Sequence, residues 1–94
     1  PYKHLGLVKL RGKNEERVRQ VSKLLFERLG QYNKDKNIKI ISVNAAHPAK
    51  LRDNFYWQIL LKAASAQKMT NLLKKYLKDF SHSGIIVTVD VDPL

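Results

Sequence analysis

Two aspartates, two residues apart, stand near the end of the chain in "IIVTVDVDPL". In an extended strand residues i and i+2 share a face, so Asp90 and Asp92 have the spacing to share a metal ion or a proton. Either chemistry needs more than a pair. A hard cation takes about six or more oxygens, and the surrounding sequence supplies lysine rather than further carboxylates. General acid–base work needs a cleft, and a domain of 94 residues has little room for one. The reading that survives is structural: the carboxylates accept hydrogen bonds from a nearby loop, or pair with a base such as Arg52 or Arg11. His4, His47 and His82 lie in separate segments, whereas zinc needs three or four converging ligands. Ser22 and Ser65 have no visible base. A phosphate-cradling glycine loop, HExxH and GxSxG are all absent. The expectation is no catalytic residue and no metal site.

A second constellation suits binding. "KLRDNFYWQILLK" holds Lys50, Arg52, Phe55, Tyr56, Trp57 and Lys62 in one short window. Bases interleaved with rings match a nucleic-acid surface, where nucleobases stack and phosphates meet cations. With Arg11 and Lys13 added, the candidate nucleic-acid-binding residues are Lys50, Arg52, Arg11, Lys13, Tyr56 and Lys62. Alternation along a strand separates Phe55, Trp57, Ile59 and Leu61 from Tyr56, Gln58, Leu60 and Lys62. Phe55 and Trp57 are read as covering the core, which makes Trp57 structural, while Tyr56 stays open. Lys68, Lys74, Lys75 and Lys78 surround an apolar helical stripe and read as a solvated face.

The charge supports a polyanionic partner. Eighteen Lys and Arg against eight Asp and Glu give +10 and a pI near 10. Such a field attracts nucleic acid first, and acidic peptides or anionic membrane second. Residues 1–47 carry eleven bases and four acids, and residues 48–94 seven and four. No cysteine is present, which excludes disulfides and thiolate metal sites and suits a reducing cytosol. No apolar run approaches the roughly 20 residues of a membrane span, and no signal-peptide pattern opens the chain.

These residues must be held by alternating elements. "KHLGLVKLRG" reads as a strand closed by Gly12. Leu5 and Leu7 fall on one face and Val8 and Leu10 on the other, so either register is open. "NEERVRQVSKLLFERLG" reads as a helix. Asn14 caps it, Glu15 and Glu16 suit its dipole, Val18, Val21, Leu25 and Leu29 form its stripe, and Gly30 offers a stop. "IKIISV" is a strand. "NAAHPAKLRDN" reads as irregular, because Pro48 argues against a strand interior. "FYWQILLK" is the third strand. "SAQKMTNLLKKYLKDF" is a second helix capped by Ser65, and "IIVTVDV" is the last strand, ended by Pro93. Val87, Val89 and Val91 are the row expected to face the helices. The order β-α-β-β-α-β predicts an α+β ferredoxin-like plait: a four-stranded antiparallel sheet with both helices on one face.

Three of these stretches resemble the C-terminal domain of primosomal protein N-prime, the bacterial replication-restart helicase. "PYKHLGLVKLRGKNEERV" is similar to that family's Pro-Pro-aromatic entry, strand and helix. "LRDNFYWQILLKAAS" is similar to its Leu-Arg-x-x-aromatic-x-Trp-Gln-apolar run, and "VTVDVDPL" to its Asp-Val-Asp-Pro terminus. The departures lie around Arg52. The family has a Gly-Pro and a proline-rich loop where this chain has Asn44-Ala45-Ala46-His47-Pro48, and a Gly where this chain has Asp53. The resemblance implies that residues 1–94 are one C-terminal accessory domain of a larger, cytoplasmic helicase. It implies contact with forked and single-stranded DNA, with other domains of the helicase, and with the acidic tail of the single-stranded-DNA-binding protein. For that tail Gln67 and Lys68 are the candidate residues. No membrane is implied. ATP, magnesium and zinc would belong to the parent and not to this piece. Asp90, Asp92 and Pro93 would anchor the chain end. The alternative is a free-standing RNA-binding plait of the small-subunit ribosomal protein type, with a small enzyme more distant.

Overall fold

The computed structural model describes residues 2–92. The elements run β1 (His4–Gly12), α1 (Glu15–Tyr32), β2 (Ile38–Leu51), β3 (Asn54–Ala63), α2 (Ala66–Leu77) and β4 (Ile86–Val91). The four strands form one antiparallel sheet in the order β2-β3-β1-β4, the ferredoxin-like plait expected from the sequence. Both helices lie on one face. Between helices and sheet sits a core of Val8, Leu10, Val18, Val21, Leu25, Leu29, Ile59, Leu61, Met69 and Leu73, none more than 2% exposed.

Helix starts follow side-chain chemistry. The Arg17 N–H donates to Asn14 Oδ1 at 3.0 Å, and the Lys68 N–H donates to Ser65 Oγ at 3.2 Å. Each cap satisfies an N–H that has no partner inside its helix. The register of β1, open in the sequence, places Gly6, Val8, Leu10 and Gly12 under the helices. The glycines account for the choice. A Cβ on Gly12 would sit 2.6 Å from the Gly84 carbonyl oxygen, and one on Gly6 would sit 2.7 Å from Met69 Sδ. Only this register puts the two residues without side chains where a helix and a turn approach closely.

Two expectations are corrected. Gly30 does not stop α1, which runs on to Tyr32 and is closed by the Asn33 N–H donating to the Leu29 carbonyl. Gly30 is exposed, and glycine inside a helix costs only about 1 kcal/mol. The two further residues bring the Tyr32 ring to 5.0 Å from that of Tyr76, a gain of the same order. The second correction concerns Asn44–Leu51, expected to be irregular. It is a continuation of β2, interrupted by a register shift between Ala45 and Lys50. Pro48, joined to His47 by a cis bond, lies inside that interruption on an edge strand, where a missing N–H breaks no ladder.

Candidate nucleic-acid interface

The face of the sheet away from the helices carries the residues that alternate with the core, polar and apolar together. From β1 come Leu5, Leu7, Lys9 and Arg11. From β3 come Tyr56, Gln58, Leu60 and Lys62, and from β4 come Ile86, Thr88 and Asp90. Register decides their neighbours. Arg11 stands between Tyr56 and Ile86, and Lys9 between Gln58 and Thr88. Directly opposed Cβ atoms lie roughly 4.5–5.5 Å apart, so these side chains form one patch. Lys9, Arg11, Tyr56 and Thr88 line a recess of about 260 Å³.

The β2–β3 hairpin extends this patch. Its turn places Arg52 at φ 51° and Asp53 at φ 66°. Two consecutive left-handed residues make the turn whose twist matches paired strands. Asp53 stands where the resembled family has glycine, and aspartate is among the few other residues that tolerate this conformation. Lys50 Nζ sits 5.4 Å from the centre of the Phe55 ring. On the other side of β1, Arg11, Lys13 and Arg17 line a depression of about 480 Å³ together with Gly84. The structure therefore gathers Arg11, Lys13, Lys50, Arg52 and Tyr56 at the hairpin end of the sheet. Lys62 shares the open face but lies six residues further along β3, roughly 20 Å away. Lys9, Arg17 and Gln58 join the patch and were not singled out in the sequence. The Lys9/Arg11 alternation was a usable signal only once the β1 register was known.

A family model described as the Primosomal protein N C-terminal domain matches residues 1–94. The chain belongs to this family. The match covers the whole chain and decides between a primosomal domain and a ribosomal-type plait. No curated protein matches. Among solved structures, the de novo designed protein Foldit4 is 14% identical, with 97% of each chain covered and a TM-score of 0.66. A second designed protein, described as having a ferredoxin fold, is 14% identical, with 97% of this chain and 85% of that chain covered and a TM-score of 0.62. An ACT domain protein from Streptococcus pneumoniae is 11% identical, with coverage of 94% and 89% and a TM-score of 0.58. At these identities the likeness shows the fold alone.

Within this primosomal domain the two aspartates have separate lives. Asp90 is on the open face, where its Oδ2 accepts from Lys9 Nζ at 2.9 Å. Asp92 leaves the strand at φ 54° and does not share that face. Its Oδ1 accepts from the Leu5 N–H at 3.1 Å, and its Oδ2 lies 2.8 Å from His4 Nδ1. Its own N–H donates to the Leu5 carbonyl at 2.6 Å. The hydrogen bond from His4 holds the Asp92 carboxyl below its ordinary value near 3.8, with the Leu5 N–H and the charge of His4 adding to it against partial desolvation. Arg52, the expected partner, is excluded by topology, because β4 runs antiparallel to β1 and ends beside Leu5, at the end of the sheet away from the hairpin turn. Arg11 pairs across to Ile86 and not to either aspartate. Pro93 lies outside the described residues. Among the described residues no group of three or more His, Cys, Asp or Glu is placed to hold a metal ion.

The remaining candidates lie elsewhere. Trp57 faces the helix side of the sheet between Leu10 and Ala45 and packs partly buried against the core. Gln67 and Lys68 are exposed on the first turn of α2, which follows the Ala63 end of β3 and so lies far from the hairpin turn. Gln67 Nε2 donates to Asn71 Oδ1 at 3.0 Å. Lys68 borders a shallow depression with Tyr32, Ile38 and Leu72. An opening of about 660 Å³ is an apolar groove between α2 and β4 lined by Leu73, Leu77, Phe80, Val87 and Val89. The valine row does face the helices, yet Val89 stays 42% exposed because α2 is centred over β1 and β3.

Proposed function

We propose that this domain binds DNA through the hairpin end of its open sheet face, as a C-terminal accessory domain of a replication-restart helicase. One observation carries the reading: in a primosomal family, Lys9 and Arg11 line one recess with Tyr56 on the open face, and Lys13, Lys50 and Arg52 lie at the same hairpin end of the sheet. Phosphates supply most of the affinity of such a surface, and cations on a rigid sheet neutralise them with little loss of side-chain order elsewhere. The helicase motors, with ATP, magnesium and zinc, belong to the rest of the parent protein. This piece contributes binding and no catalysis. Its protein partners are the other domains of the helicase and the acidic tail of the single-stranded-DNA-binding protein, for which Lys68 beside Gln67 supplies positive charge on an exposed helical turn. The setting is the bacterial cytoplasm. No helix of the described residues is long and apolar enough to cross a membrane.

The test is a salt titration on forked and single-stranded DNA. Each phosphate neutralised on a single strand contributes about −0.7 to the slope of log affinity against log salt. Reversing Lys50 and Arg52 to Glu should weaken binding to both substrates and flatten the single-strand slope by about 1.4. Affinity that does not change between low and moderate salt would overturn the reading.

A further inference from the structure

The hairpin does more than lengthen the sheet. Past the register shift, the β2 arm and the open face enclose a pocket of about 250 Å³. His47, Pro48 and Leu51 line it from the arm, and Lys9, Tyr56 and Gln58 line it from the sheet, with Trp57 also reaching it. The recess of about 260 Å³ described above shares Lys9 and Tyr56 with this pocket, so the two lie side by side.

The two compartments differ in chemistry. Apart from the shared Lys9, the first offers the rings of Tyr56 and His47, the aliphatic surface of Pro48 and Leu51 and one carboxamide, which carries a donor and an acceptor on a single plane. The second is lined by Lys9, Arg11, Tyr56 and Thr88. Every one of those side chains can donate a hydrogen bond, and no carboxylate lines it. A flat ring with a polar edge suits the first, and a phosphate suits the second. A nucleotide has those two parts, separated by one sugar. The size is selective as well. Pockets that enclose drug-sized ligands run from roughly 300 to 1,000 Å³, so this one takes a single ring system and not a base pair. We propose that the hairpin pocket receives one unpaired base of a DNA strand, its flanking phosphate resting against Lys9, Arg11, Tyr56 and Thr88. The Gln58 carboxamide meets the edge of the base, as such groups do on adenine. Lys9 is already held by Asp90, so an arriving phosphate exchanges with a carboxylate and does not meet a bare cation. The proposal rests on the DNA-binding reading and adds that the domain distinguishes unpaired from paired bases.

Trp57 is the only tryptophan in the chain; its ring faces the helices, but it sits between Tyr56 and Gln58 on β3, so its fluorescence serves as a neighbouring reporter of the pocket. The experiment titrates the 94-residue chain with a short single-stranded oligodeoxynucleotide and with an abasic oligomer of equal length and charge, at fixed salt. Stacking of one base on an aromatic side chain predicts about tenfold tighter binding of the intact strand, with a change in Trp57 emission that the abasic strand does not produce. Tyr56→Ala should close the gap while leaving the salt slope of the abasic strand unchanged. Tyr56→Leu, which keeps the bulk and loses the ring, replaces it should the alanine variant not fold. Equal affinity for intact and abasic strands, or a gap that survives both substitutions, overturns the pocket and leaves the DNA-binding reading standing. Binding of neither strand at low salt overturns both.

Discussion

The covered and open faces of this sheet are built from alternate residues of the same strands, yet they tolerate change in opposite ways. Val8 and Leu10 are fully buried; Lys9, between them in sequence, keeps 43% of its side chain exposed. Ile59 and Leu61 are fully buried, while Leu60 and Lys62 on the same strand are only partly covered. The covered face is constrained by volume, because close-packed interiors feel the loss of single methylene groups. The open face has no such packing to satisfy; it displays charge and the single ring of Tyr56. If the open face binds DNA as proposed, stability and recognition rest on different residues of one strand, and substitutions should separate them.

The largest expected effect is on the covered face. Leu10→Ala removes a fully buried side chain from the centre of the core and should lower stability by about 2–5 kcal/mol in urea unfolding. DNA affinity of the molecules that remain folded should stay level, because Leu10 points away from the open face. A stability loss below about 1 kcal/mol, or a specific loss of DNA binding with the fold intact, would break the division between the faces.

A smaller effect is expected where the two termini of the sheet are clasped. Asp92 ties itself to His4 and to both backbone groups of Leu5. Its carboxyl titrates below the ordinary value near 3.8, so its contribution to stability is present above that value and is lost as pH falls through the lowered one. The melting temperature of Asp92→Asn should therefore lie below that of the native chain at about pH 6, and the difference should shrink toward about pH 2. A difference independent of pH would show that geometry holds the clasp and charge does not.

Which of these features were legible beforehand depends on how local their causes are. Asn14 and Ser65 each cap a helix through a residue three positions away, and the stripes Val18–Leu29 and Met69–Leu73 repeat within one element. Such short-range signals carried the element order and the plait. Gly30 misled because its usual meaning as a stop was outweighed by the Tyr32–Tyr76 contact between two helices. Pro48 misled because a proline excluded from a central strand is acceptable inside a bulge at an edge. The partners of the aspartates were hidden by distance: Asp92 meets His4 across 88 positions and Asp90 meets Lys9 across 81. Of the proposed binding patch, the window from Lys50 to Tyr56 stood out as bases among rings. Lys9 and the β2 arm did not, since their proximity exists only after the strands pair; Gln58 shared the Tyr56 face by alternation but was not singled out for binding.

The smallest expected effect is at Asp90, and it sharpens the comparison most. Asp90 is the acid that β4 places on the open face, and its carboxylate sits 2.9 Å from Lys9 Nζ. Both side chains are about half exposed, so the pair is screened by water and contributes little to folding. Its consequence should appear in binding. A phosphate that approaches Lys9 must displace Asp90 and endure its repulsion. Asp90→Asn removes the competitor and the like charge while preserving shape. The melting temperature should move by no more than about 4 °C, the scale of an exposed pair worth about 0.5 kcal/mol in a domain of this size. Affinity for single-stranded DNA should rise about two- to threefold at low salt, and the gain should vanish as salt screens the charge. Lys9→Gln in the same background should cancel the gain, because the two changes act through one contact. A rise that persists in the Lys9→Gln background would mean that Asp90 acts through the general field of the face. A fall in affinity, with the fold intact, would mean that Asp90 positions Lys9 for the phosphate and does not compete with it.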